Sequence, residues 1–218
     1  DVYESGYGVA IDIGTTTVVT ALIDLQTGKE IANASMINAQ KHFGLDVLTR
    51  ITYEYENPET GARELQEAIV KSINAMLGEV CQEAGVDRRD IREIDVAANC
   101  TMMHMLLGVD ARSIGRAPYK PEFLSAQTLL AKEIGIEAGE NTILYCLPQV
   151  SAYIGADIVA GAYVCEMQNA KGNVLFIDIG TNGEIVLASK GKLLCCSCAA
   201  GPALEGMNTV SYTHLRAH

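Results

Sequence analysis

The five residues Ile-Asp-Ile-Gly-Thr occur twice, at positions 11–15 and 177–181. Each copy closes an apolar, β-branched run, and each is followed by a second apolar run and then a Gly-Lys turn, at 28–29 and 191–192. A short motif that returns with its flanking strands, most of the chain apart, is too widely spaced for a solenoid. It marks the duplication of an α/β half-domain whose halves each begin with a three-strand meander.

The segments between the copies say what a complete half contains. Residues 8–13, 17–25 and 29–38 predict the first meander, and a helical pattern over 45–55 ends near Pro58. A long helix is predicted over 60–84, where Leu65, Ile69, Ile73, Met76, Leu77, Val80 and Cys81 form one apolar stripe that Gly85 terminates. A fourth strand follows at 91–98, a short apolar helix at 101–107, a loop rich in Gly, Pro and Arg at 108–123, and a fifth strand at 141–147. Ser151 is placed to cap a helix running to Met167, in which the small residues Gly155, Ala156, Ala160 and Gly161 allow close approach to a neighbouring backbone. The expected fold is α/β, a mixed five-strand sheet with flanking helices. Residues 1–168 form the first copy, 169–208 the start of a second, truncated copy, and 209–218 a tail that resembles translated adapter sequence and is set aside. Because the chain opens at Asp1, just before a strand, it reads as part of a longer polypeptide.

The chemistry of the repeat lies in its turn. An aspartate at a strand end can hold a hydrated Mg²⁺, glycine lets the backbone approach a ligand closely, and turn N–H groups with threonine hydroxyls donate to phosphate oxygens. One such turn is an ordinary hairpin. Two in duplicated settings predict twin hairpins that clamp a polyphosphate, with Asp12 and Asp178 directed at the metal. Neither a Walker A pattern nor Gly-x-Gly-x-x-Gly occurs, so P-loop and Rossmann sites lack their required turn.

Composition narrows the partners. With 16 basic and 27 acidic residues the 218-residue chain carries a net charge of −11, which argues against nucleic acid held by general electrostatics. The longest apolar stretch, 152–167, is broken by Asp157 and Glu166, so no membrane span is expected. Seven cysteines, an odd number mostly inside apolar runs, fit reduced thiols in a cytoplasmic protein better than a disulfide framework. Cys195, Cys196 and Cys198 lack a second ligand pair at metal spacing and are expected to be buried thiols. His104, inside the apolar run 102–107, is expected to be a core or helix-surface histidine.

With these motifs in place the chain resembles the actin, sugar kinase and heat-shock chaperone ATPase (ASKHA) superfamily, whose fold is ribonuclease H-like. Asp12-Ile-Gly-Thr-Thr matches its first phosphate motif, Asp178-Ile-Gly-Thr-Asn-Gly its second, and residues 148–157 its connecting helix. Within it the chain is most similar to reductive activators of corrinoid proteins, through Asn38-Ala-Gln, residues 44–51, residues 99–108, Pro118-Tyr, Gly155-Ala-Asp, residues 178–184 and residues 199–206. The resemblance implies an ATP-dependent activator that reduces Co(II) corrinoid to Co(I) on a cobalamin-containing partner protein, with a 2Fe-2S cluster in an N-terminal ferredoxin domain absent from these residues, and often a homodimer.

Residue by residue, it implies phosphate contacts from Gly14, Thr15, Thr16 and Thr17 and from Gly180, Thr181, Asn182 and Gly183. It adds nucleotide-sugar contacts near Gly201 and Glu205, metal binding at Asp12 and Asp178, and a catalytic place for Gln149 as the side chain that orients the attacking water. Gln149 reads equally as a polar cap after Pro148, Asp157 as a group near the metal or a polar residue facing a cleft, and Glu205 as a helix N-terminal charge. A small-molecule kinase of the same superfamily and a non-catalytic nucleotide-dependent interaction module are the alternatives.

Overall fold

The computed structural model describes residues 5–180 and 182–199. Two compact units divide between Ala160 and Gly161. In the first, strands β1 (Tyr7–Ile13), β2 (Thr17–Asp24) and β3 (Lys29–Ile37) form the expected antiparallel meander. Helices α1 (Val47–Glu56) and α2 (Gly61–Ala84) follow, then β4 (Ile91–Ala98) and α3 (Cys100–Leu106). Strands β5 (Gln127–Leu130) and β6 (Ile143–Cys146) complete a six-stranded sheet of order β3-β2-β1-β4-β6-β5. The central β1, β4 and β6 run parallel, and the two sides are antiparallel.

Five of these strands are those predicted. The sixth, β5, is a four-residue edge strand with no fully buried residue, paired antiparallel to β6. Its sequence, Gln-Thr-Leu-Leu, is too short to show an alternating pattern.

One face of the sheet carries Val9, Ile11 and Ile13 from β1, Val18 and Leu22 from β2, Ile94 and Val96 from β4, and Leu144 from β6, all buried. Helix α2 supplies the matching stripe: Leu65, Ile69, Ile73, Met76, Leu77 and Val80 have no solvent exposure. At about 1.5–3 kcal/mol for each large apolar side chain withdrawn from water, this stripe alone outweighs the weak intrinsic preference of any single residue. The helix stops where expected, at Gly85, which adopts φ 68° and donates its N–H to the carbonyls of Cys81 and Gln82. Helix α1 begins with a capping box between Asp46 and Thr49. His104 is a core residue: it is fully buried and stacked on Phe123 at 4.3 Å. Its Nδ1–H donates to the Cys100 carbonyl at 2.8 Å and its Nε2 accepts the Glu122 N–H at 3.1 Å, an arrangement only the neutral ring satisfies. Burial accordingly holds its pKa below the ordinary histidine value.

Helix α4 (Ala156–Val164) is shorter than predicted at both ends. Ser151 does not cap it, because its hydroxyl accepts the N–H groups of Tyr153 and Ile154 in a local turn. Beyond Val164 the chain turns at Glu166, with φ 51°, into a 3₁₀ turn at Met167–Asn169.

The second unit holds β7 (Val174–Ile179), β8 (Asn182–Ser189) and β9 (Lys192–Ala199) in a second antiparallel meander. Val186 and Ala188 are buried, whereas Leu175, Ile177, Ile179, Leu193 and Leu194 are exposed. Cys195, Cys196 and Cys198 are exposed too, against the expectation of buried thiols. Apolar composition predicts burial only where a second layer covers the strand, and Leu193, Leu194 and these cysteines of β9 are exposed. All seven cysteines are free; Cys81, Cys100 and Cys146 are the buried ones. No helix among the described residues is long and apolar enough to cross a membrane.

Candidate functional site

Three parallel strands end side by side, and each hands the chain to a polar segment: β1 to residues 14–17, β4 to Asn99, and β6 to Pro148 and Gln149. Ligands of open α/β sheets bind outside such carboxyl ends. Asp12 alternates with Ile11 and Ile13, so it leaves the buried face of β1 and is exposed at the strand end.

The turn after β1 is fixed from below, carbonyl by carbonyl. The Gly14 oxygen accepts Asn38 Nδ2–H at 2.9 Å, the Thr15 oxygen accepts Arg50 NH2 at 2.6 Å, and the Thr16 oxygen accepts the Asn38 N–H at 2.8 Å. Gly14 N–H closes the turn on the Thr17 oxygen at 2.9 Å. In a planar trans peptide the N–H points opposite to the preceding carbonyl. Drawing the carbonyls of residues 14, 15 and 16 toward the protein therefore turns the N–H groups of Thr15, Thr16 and Thr17 the other way. N–H groups turned away from the protein in this manner are of the kind that can serve an anion. Glycine is required at position 14, since a Cβ there would lie 2.6 Å from the Thr17 oxygen. Thr15 is buried, and its hydroxyl accepts Asn99 Nδ2–H at 3.1 Å. Asn99 Oδ1 in turn caps α3 by accepting the Met102 N–H at 2.9 Å.

Asn99 also receives the last helix. A Cβ on Gly155 would lie 2.5 Å from Asn99 Cα and 2.8 Å from the Ala98 oxygen, so only glycine allows this approach. Asp157 then falls in the first turn of α4, where a negative charge is favourable, and its Oδ1 accepts the Ile158 N–H at 2.8 Å. Its charge adds to burial in pushing the Cys100 thiol up to about 12, so Cys100 is an inert core thiol.

Gln149 is the anomaly. It is 7% exposed, and neither its Oε1 nor its Nε2 finds a partner within the described residues. A buried, unpartnered amide costs about 1–3 kcal/mol, and such a group asks for an explanation such as a missing water or ligand.

Of the sequence-predicted residues, Asp12, Gly14, Thr15, Thr16, Thr17, Gln149 and Asp157 thus belong to the first unit at or beside these strand ends. Asp178, Gly180, Asn182 and Gly183 belong to the second unit. Asp178 is exposed near the end of β7, and Gly180 N–H donates to the Asn182 oxygen at 2.9 Å. The second loop is one residue tighter than the first: Ile179 pairs with Gly183, whereas Ile13 pairs with Val18. Thr181, Gly201 and Glu205 lie outside the described residues. No group of three or more His, Cys, Asp or Glu side chains is arranged to hold a metal among the described residues. A magnesium ion that keeps most of its waters and phosphate ligands needs only one or two carboxylates.

Asn38, Arg50 and Asn99, the residues that set the first loop, carry no role in the sequence reading. Their signals were available. Arg50 interrupts the buried stripe of α1 beside Ile51, and both asparagines directly follow a strand.

Residues 7–170 match the family model of the RACo middle region, and residues 172–212 match that of the C-terminal domain of RACo, the ASKHA domain. The chain belongs to the RACo family. It is 35% identical over 200 residues to the corrinoid activation enzyme RamQ of Eubacterium limosum, covering 92% of this chain and 33% of that protein. Over 214 residues it is 26% identical to a Methanosarcina barkeri protein named as the reductase of the Co(II) methylated amine-specific corrinoid protein, covering 94% and 38%. A solved structure of a reductive activator for a corrinoid, iron-sulfur protein superposes with TM-score 0.90 at 42% identity, over 95% of this chain and 33% of the other. The chain spans about a third of the length of these RACo relatives, and its fold is the ASKHA, actin-like one.

Proposed function

We propose that this chain is the ATP-binding module of a corrinoid-protein activator that couples ATP to reduction of Co(II) corrinoid to Co(I). The observation that carries the proposal is the loop at 14–17, whose carbonyls are all engaged by protein donors and whose N–H groups are turned outward beside an exposed aspartate. RACo membership and the names of the relatives supply the corrinoid partner.

In this proposal the N–H groups of the first loop and the Thr17 hydroxyl hold phosphate oxygens, with Gly180, Thr181, Asn182 and Gly183 as the equivalent loop of the second unit. Asp12 of the first unit and Asp178 of the second would each offer a carboxylate to a hydrated Mg²⁺, as would Asp157 in the first turn of α4. Gly201 and Glu205 are assigned to the nucleotide sugar by the family resemblance alone. Gln149 orients the attacking water, which supplies the partner its buried amide lacks. A bound Mg²⁺ would supply neutralisation of phosphate charge. The reduction itself is a one-electron step, Co(II) to Co(I). A 2Fe-2S ferredoxin domain of the kind the resemblance implies would supply the electron. The proposed setting is cytoplasmic, the proposed partner a cobalamin-containing protein, and the proposed assembly a homodimer.

The test uses the intact protein with a corrinoid partner and excess chemical reductant. Co(I), read by its visible absorption, is expected to form with ATP and not without it. Equal Co(I) formation in both arms would refute the coupling.

A further inference from the structure

Arg50 is completely buried and forms no ion pair with a carboxylate among the described residues. Its guanidinium is instead held by neutral groups. Nε–H donates to the Gly44 oxygen at 2.9 Å, NH1 to Gln40 Oε1 at 3.3 Å and to Met102 Sδ at 3.1 Å, and NH2 to the Thr15 oxygen at 2.6 Å. Gln40 is itself buried and fixed, donating from Nε2 to the Leu65 oxygen at 2.9 Å. Four of the five guanidinium N–H donors are therefore satisfied and the positive charge is not. Desolvation lowers the Arg50 pKa to about 10, against a smaller opposing effect of Asp46, which leaves the side chain charged at neutral pH.

A buried charge without a counter-charge is costly, and a hydrophobic replacement of similar volume is often more stabilising. Its place directly beneath the loop at 14–17 has a functional reading. We propose that Arg50 is a positioning residue whose hydrogen bond sets the Thr15 carbonyl and whose unneutralised charge, acting through the loop, attracts the polyphosphate of the nucleotide. The loop thereby gains a cation that never touches solvent or ligand, in a protein of net charge −11. This inference rests on the nucleotide reading above and adds to it a source of selectivity for phosphate number. A unit charge some 8 Å away at an effective dielectric constant of about 20 changes the affinity for an anion by about 10- to 30-fold.

The experiment measures ATP and adenosine binding by calorimetry on the intact protein, wild type and variants. Arg50→Met is expected to weaken ATP by about tenfold or more while adenosine changes less than about threefold. Gln40→Glu gives up the hydrogen bond to the Leu65 oxygen but keeps Arg50 in place and sets a carboxylate against it. It is expected to produce the same selective loss without emptying the buried site, and so serves if Arg50→Met does not fold. Arg50→Lys, which keeps the charge, is expected to retain ATP affinity better than Arg50→Met. Wild-type protein that fails to bind ATP would overturn the nucleotide reading and this inference together. Wild type that binds ATP, with Gln40→Glu and Arg50→Met either leaving ATP affinity unchanged or weakening ATP and adenosine alike, would overturn the role of Arg50 alone.

Discussion

Glu54 should make the stability of this domain fall as pH rises from about 4.5 to about 7. The residue is 2% exposed on α1. Its Oε2 accepts the Ala111 N–H at 2.8 Å, and Oε1 has no donor. Burial, opposed by the Ala111 bond and reinforced by Asp110, pushes its pKa from 4.5 up to about 7. The folded-state pKa thus exceeds the unfolded one, and between about pH 4.5 and pH 7 the folded state binds the extra proton. Stability contributed by the protonated carboxyl is complete below about 4.5 and is lost as pH climbs to about 7. The shift converts to a little over 3 kcal/mol at full value, and relaxation and water penetration reduce this to about 2 kcal/mol. Glu54→Gln keeps an oxygen for Ala111 and supplies a permanent donor toward Asp110. Urea denaturation at pH 5 and pH 8 is the assay. The variant is expected to match wild type within about 0.5 kcal/mol at pH 5 and to exceed it by about 2 kcal/mol at pH 8. A stability difference that is the same at both pH values would refute the assignment of a buried, protonated Glu54.

Gly155→Ala places a methyl group against the backbone at Asn99 and Ala98, and should lower stability by about 1–3 kcal/mol in denaturant titration. Asn99→Ala removes both the α3 cap and the bond to the Thr15 hydroxyl. It should cost about 1–2 kcal/mol and also weaken ATP binding, read by calorimetry, whereas a cap alone would leave binding unchanged. The His104 ring should titrate below the ordinary histidine value, staying neutral and Nδ1-protonated at pH 6.5, followed by ring ¹⁵N chemical shifts.

Long-range periodicity made most of the fold legible. The stripe on α2 and the strands of both meanders were read within a few residues because each buries one complete face. Edge strand β5 was not legible, since four residues with no fully buried position leave no alternation to detect. Ser151 misled because a hydroxyl that can cap a helix can equally close a local turn, and which it does depends on where the following backbone goes. The exposed cysteines of β9 show the limit of composition, which reports what a strand could bury and not whether a second layer is there. At the site, the repeated motif pointed directly to the loop that could meet phosphate. What holds that loop comes from three segments distant in sequence, through Asn38, Arg50 and Asn99, and emerges only when the strands are laid side by side.

The central claim, that the turn after β1 is a nucleotide phosphate site served by Asp12, is tested most directly by phosphate release from ATP in the intact protein carrying Asp12→Asn. A change of this kind at a metal-bearing carboxylate is expected to reduce turnover by about 100-fold or more while the folded structure persists. Wild-type turnover in the Asp12→Asn protein would contradict it.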